Sequence, residues 1–138
     1  MTVPSAEIMR YIPLGERVTV TMPLTGAWSK NAQHRMGSGR LYLRDGARAH
    51  RETWGWALKA ALKGRLFQPR RKVWLDLFVQ RADLKSDPIN VLDGVADAVK
   101  GLVGVDDRWF AVWRLDWDLV RHEAPWIQLS LWQDPDVS

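Results

Sequence analysis

Ser86–Asp107, SDPINVLDGVADAVKGLVGVDD, decides the fold, because it reads as a helix with a marked start, two unlike faces and an acidic stop. Asp87 is a good N-cap, and Pro88 suits the first helical turn. At about 100° per residue, Ile89, Val91, Leu92, Val95, Ala96, Ala98, Val99 and Leu102 fall on one side, the expected core face. Asp87, Asn90, Asp93, Gly94, Asp97 and Gly101 fall on the other. Asp93 and Asp97 repel at i,i+4 by roughly 0.2–0.5 kcal/mol. Gly94 costs about 1 kcal/mol against Ala in mid-helix. Two penalties on one face ask for a reason, and Asp106-Asp107 adds two more carboxylates where the helix stops.

One reason is a divalent metal. Hard cations such as Mg²⁺ take oxygen ligands, usually one or two carboxylates with water and substrate phosphate. Gly94 would then let a phosphate or a second backbone come close. The plain alternative is a solvated acidic helix face, eased near Asp87 by the helix dipole, which fades before Asp97.

Outward from this stretch the chain is basic. It has 138 residues, enough for one domain with its own core, and a formal net charge of +4. Lys30, Arg35, Arg40, Arg44, Arg48, Arg51, Lys59, Lys63, Arg65, Arg70, Arg71 and Lys72 face only Asp45 and Glu52 in the same segment. A cationic half beside a carboxylate cluster suits an enzyme that grips a phosphate backbone. There is no cysteine, hence no disulfide, thiolate ligand or Cys nucleophile, and the expected compartment is the cytoplasm. No apolar run approaches membrane length, and Met1–Glu16 does not read as a signal peptide.

The remaining elements follow from periodicity. Arg17–Leu24 alternates as a half-buried strand, with Pro23 near an edge. Residues 25–39 read as a loop, and Leu41–Leu43 as a short strand. Gly46–Lys63 reads as a helix opened by Asp45 and closed by Gly64. Val73–Gln80 is a strand with Val73, Leu75, Leu77 and Val79 inward. Trp109–Val120 and Trp126–Trp132 are strands expected to pair as a hairpin across Arg121–Pro125. Residues 1–16 and 133–138 are expected to be loosely held tails. Alternation assigns most of the nine tryptophans to core or interface. His34 and His50 lack ligand spacing. The expected fold is α+β, two helices packed on a mainly antiparallel sheet of about four strands, in a single domain.

Asp87-x-x-Asn90, then Asp97, then Asp106-Asp107, resembles the RusA family of Holliday junction resolvases. These are small homodimeric, Mg²⁺-dependent DNA endonucleases of recombination and repair, often encoded in prophages. That family's motif reads Asp-x-Asp-Asn-x-x-Lys-x-x-x-Asp-x-Leu, a short gap, then Asp-Asp. Here Ile89 stands at the second Asp and Asp93 at the Lys. The resemblance spans roughly Val18–Trp132, with its specific part in Asp87–Asp107. It implies a metal-dependent endodeoxyribonuclease that resolves four-way junctions as a homodimer.

On that resemblance Asp87, Asp93 and Asp107 are the expected catalytic residues. Asp87, Asp93, Asp97, Asp106 and Asp107 are the expected ligands of Mg²⁺, or of Mn²⁺ in its place. Asp93 is taken to replace the carboxylate lost at Ile89. Asn90 and Gly94 would orient the site, and Lys85 or Lys100 would answer for the missing motif Lys. Lys30, Arg35, Arg40, Arg44, Arg48, Arg51, Arg70, Arg71 and Lys85 would bind DNA. Two other readings stand beside this one: a branched-DNA-binding protein of the same fold without cleavage, and an interaction module with an acidic helix face.

Overall fold

A computed structural model describes residues 10–24, 34–37, 40–43, 45–85 and 87–136; for residues 34–37, 40–43 and 45–51 it describes the backbone course alone. The strands are β1 (Val18–Pro23), β2 (His34–Gly37), β3 (Arg40–Leu43), β4 (Val73–Arg81), β5 (Phe110–Leu119) and β6 (Trp126–Trp132). The helices are α1 (Asp45–Leu62) and α2 (Pro88–Val103). The main sheet has four strands in the order β1-β6-β4-β5, with β2 and β3 forming a separate antiparallel pair. The architecture is α+β, with both helices described packing against each other and on the mainly antiparallel sheet.

β4 is the centre of the sheet, and its alternation sets the layers. Val73, Leu75, Leu77 and Val79 are fully buried, while Trp74, Asp76, Phe78 and Gln80 face outward and are half-buried. A central strand with a carboxylate on one face fits a sheet that packs a core on the other side only. Val91, Val95, Val99 and Val103 of α2 and Ile127, Leu129 and Leu131 of β6 complete that core, with Trp54 and Leu58 of α1. The outer face is tied by polar pairs: Thr19 and Ser130 hydroxyls lie 2.8 Å apart. Arg114 donates twice to Asp76, at 3.0 Å each.

The expected β5–β6 hairpin does not form. β5 pairs in parallel with β4, from Val73↔Phe110 to Arg81↔Leu119, with α2 as the crossover. β6 lies on the other side of β4 and pairs antiparallel with both β4 and β1. The crossover helix determines this outcome. It returns the chain to the start of β4, so β5 must run the same way as β4 and fills that flank.

Four smaller expectations also change. His34–Gly37 is a strand, where the run 25–39 reads as loop. Ile89 is 62% exposed, whereas Gly94 is buried and offers no open approach to a phosphate. The β4–β5 register shifts between Leu75 and Asp76 of β4, which pair with Val112 and Arg114, so the even alternation expected from Trp109 breaks at Trp113 of β5. Of the described tryptophans, Trp54 and Trp132 are buried and Trp109 packs partly buried against the core, so the core holds fewer of them than alternation alone suggests.

Of the two stretches expected as tails, the described parts, residues 10–16 and 133–136, are tied to the body of the fold. Ile12 is buried and its N–H donates to Leu66 O at 2.8 Å. Gln133 is buried too, accepting from Gln68 N at 2.9 Å and donating to Gln68 O at 2.8 Å. These contacts gather the loop before β4, the C-terminal segment and the end of α2 at the Val73 end of the sheet. Phe67 N donates to Val103 O at 3.0 Å, which closes that group.

Candidate functional site

The carboxylates of the acidic stretch divide between the two ends of α2. Asp87 caps the first turn: its Oδ1 accepts from Ile89 N at 2.9 Å and its carbonyl accepts from Val91 N at 3.0 Å. Pro88 follows as the first helical residue. Asp97 lies near the other end, and ten residues at about 1.5 Å rise put it roughly 15 Å from Asp87 along the axis. Asp93 is exposed one turn before Asp97, and Asn90 is partly exposed near the cap.

At the far end two carboxylates converge. α2 stops at Gly104, whose φ of 82° is left-handed and glycine-favouring. The chain then turns back through a 3-10 turn, Asp107–Trp109. Lys100 Nζ sits between the arms of this bend, 3.5 Å from Asp97 Oδ1 and 3.6 Å from Asp107 Oδ2. The Asp107 charge, and then that of Asp97, holds the Lys100 ammonium above its ordinary range. Asp97 is the more sheltered of the pair, its side chain 24% exposed against 45% for Asp107. Asp106 is engaged elsewhere. It caps the 3-10 turn and accepts from Arg108 Nε at 2.8 Å, and that hydrogen bond holds its carboxyl below the usual range.

The basic residues are also distributed. Arg70, Arg71 and Lys72 sit on the loop leading into β4, at the Val73 end, which is the end where α2 finishes and Asp107 lies. Lys85 is exposed at the other end, on a turn where its N–H donates to Asp83 Oδ1 at 2.8 Å. Arg35 and Arg40 lie in β2 and β3, and Arg48 and Arg51 in α1, with their side chains outside the description; Lys30 and Arg44 lie outside the described residues altogether.

The pair Asp97–Asp107 fits a hard cation in one respect: two carboxylates already converge on a single positive charge, and Mg²⁺ commonly takes one or two carboxylates with water and phosphate. It does not fit an all-protein cage. Among the described residues no three His, Cys, Asp or Glu side chains are grouped to hold a metal ion. The expected set of Asp87 with Asp107 is not brought together within one chain. Lys100 is the residue that sequence reasoning underrated. Its i,i+3 spacing from Asp97 signals one contact, but the contact to Asp107 depends on the bend after Gly104.

The capping role of Asp87 makes a separable prediction. Asp87→Asn keeps the cap and should leave the melting temperature unchanged. Asp87→Ala should lower stability by about 1 kcal/mol in urea unfolding. A similar loss in both variants would mean that the charge, not the cap, matters to folding.

Compared with known proteins, the chain matches no family model and no curated protein. No helix among the described residues is long and apolar enough to cross a membrane.

Proposed function

We propose that this chain is a RusA-like endodeoxyribonuclease that hydrolyses phosphodiesters in four-way DNA junctions and works as a homodimer. The observation that carries the reading is the convergence of Asp97 and Asp107 on Lys100, on the stretch that resembles the family's motif and at the end of the sheet that also carries the cationic loop. Asp97 and Asp107 would hold a Mg²⁺ ion, which when bound would supply Lewis-acid chemistry for the hydrolysis. Lys100, released from the carboxylates, presents its donors to the non-bridging phosphate oxygens. Arg70, Arg71 and Lys72 bind the flanking backbone without reading its sequence. Water attacks phosphorus and gives up a proton to solvent, and the P–O bond to the leaving strand breaks, its oxygen taking up a proton to leave as a free hydroxyl.

Asp87 enters this reading through the dimer. It lies too far from Asp107 to share an ion within one chain, so a site that uses both draws on two copies. Two-fold symmetry also provides one centre for each of the two strands a junction offers.

A second reading, junction binding without cleavage, is favoured by Ile89 at a motif carboxylate position and by Lys100 lying where a cation would bind. Gel assays on a four-way junction and a linear duplex, over a titration of Mg²⁺ and Mn²⁺, separate the two. Metal-dependent paired nicks in the junction, and not in the duplex, are expected. Binding without nicking at every metal concentration would favour the second reading, and no binding would overturn both.

A further inference from the structure

The loop Arg70–Lys72 lies at the same end of the sheet as Asp107, yet it does not stand open. Arg71 Nη1 is 2.7 Å from Asp136 Oδ1, and Lys72 Nζ is 3.9 Å from Asp134 Oδ2. Asp134 is fixed in turn by Trp74, whose Nε1 donates to both carboxylate oxygens at 3.0 Å. Lys72 lies over the same indole, 3.9 Å from its centroid. The segment Gln133–Asp136 therefore lays two carboxylates across two cations.

The arrangement has a buried root and an exposed tip. Gln133 is buried, and its Nε2 donates to Gln68 O at 2.8 Å and Arg71 O at 3.4 Å, so it moulds the loop as well as anchoring the tail. The acids beyond it are exposed: the Asp136 side chain is 69% accessible and that of Asp134 60%. Ion pairs so open to water are screened and weakly held. A cavity of about 140 Å³ remains between Arg71, Lys72, Gln133 and Asp134. A polyanion that presents several phosphates can displace two exposed carboxylates, because each further cation it engages releases counterions.

We propose that Asp134–Asp136 is a built-in competitor for a phosphate-backbone site on Arg70–Lys72. The tail neutralises the loop in the resting chain and yields it to nucleic acid. This ranks ligands by charge density: isolated anions leave the tail in place, and a nucleic-acid backbone displaces it. As a statement about junction DNA the inference rests on the proposed nuclease reading; as a statement about polyanions it does not.

The test compares Asp134→Asn/Asp136→Asn with Glu52→Gln/Glu123→Gln, which changes net charge equally at exposed positions away from the loop and from β5. The tail variant should elute from heparin at higher salt than the Glu52/Glu123 variant and bind a four-way junction several-fold more tightly. In an Arg71→Gln/Lys72→Gln background the tail substitutions should add no more than their net charge does. Equal shifts for the two variants, or a full gain in the Arg71→Gln/Lys72→Gln background, would overturn the competition. A wild-type chain that binds no junction DNA, with the heparin difference intact, would sink the nuclease reading and leave this one standing.

Discussion

Asp107→Asn and Asp97→Asn should each lower metal-dependent junction cleavage by on the order of 100-fold or more, with junction binding kept within about twofold. Each substitution removes a charge that points at Lys100 and at the place proposed for the ion. Neither residue is buried, so the fold should survive, and an unchanged melting curve is part of the expected result. Lys100→Met should behave differently. It removes the cation that competes for both carboxylates, so the metal concentration needed for half-maximal cleavage should fall, while the maximal rate falls with the loss of a phosphate contact. Asp106→Asn should matter least, because Asp106 serves Arg108 and the turn. If Asp97→Asn and Asp107→Asn cleave normally, the convergent pair is an ordinary ion-pair network. A search for the centre should then move to Asp87 and Asp93.

Much of this was legible in the residues, and the misses share one physical cause. Val73, Leu75, Leu77 and Val79 alternate over a long strand, and α2 carries its own cap, proline and glycine stop, so both are determined locally. Strand pairing is not local. The turn residues between β5 and β6 would suit a hairpin, but which strand lies beside β4 is decided by the crossover helix and by burial. β6 has Ile127, Leu129 and Leu131 fully buried and fits between two neighbours. β5 exposes Val112, Trp113 and Trp117 and fits an edge. The carboxylates show the same limit. Helical periodicity puts Asp87 and Asp97 on one face, but only helix length shows that they sit at opposite ends. The convergence of Asp97 with Asp107 belongs to the bend at Gly104, where a left-handed residue turns the chain back beside α2.

The chain should sediment at twice its own mass, with β5 as the seam. β5 is a ten-residue edge strand with Val112 49%, Trp113 60% and Trp117 45% exposed, a large apolar load for an open edge. Its charges choose a register. Antiparallel pairing with a second β5 about Leu115 sets Arg114 opposite the partner's Asp116 in both halves, whereas a centre at Asp116 sets that carboxylate against itself and one at Trp117 opposes Asp116 and Asp118. The bulge at Trp113 and the acids at Asp116 and Asp118 restrict pairing to this one arrangement, which is how edges avoid indiscriminate association. Antiparallel pairing also brings the β5 end that follows Asp107 in one copy beside the end of β5 nearest Asp87 in the other, the juxtaposition a single chain lacks. The absence of cysteine makes the seam testable. Leu115→Cys would place two thiols on the axis, with Cα atoms about 4.5–5.5 Å apart, within disulfide reach. Mild oxidation should convert most of that variant to a covalent dimer. Asp118→Cys should remain uncrosslinked, because its two copies would lie roughly 20 Å apart along the strands. A single-chain mass at micromolar concentration, both free and with junction DNA, would remove the dimer and the shared use of Asp87 with it. Equal crosslinking at both positions would keep the dimer and discard this register.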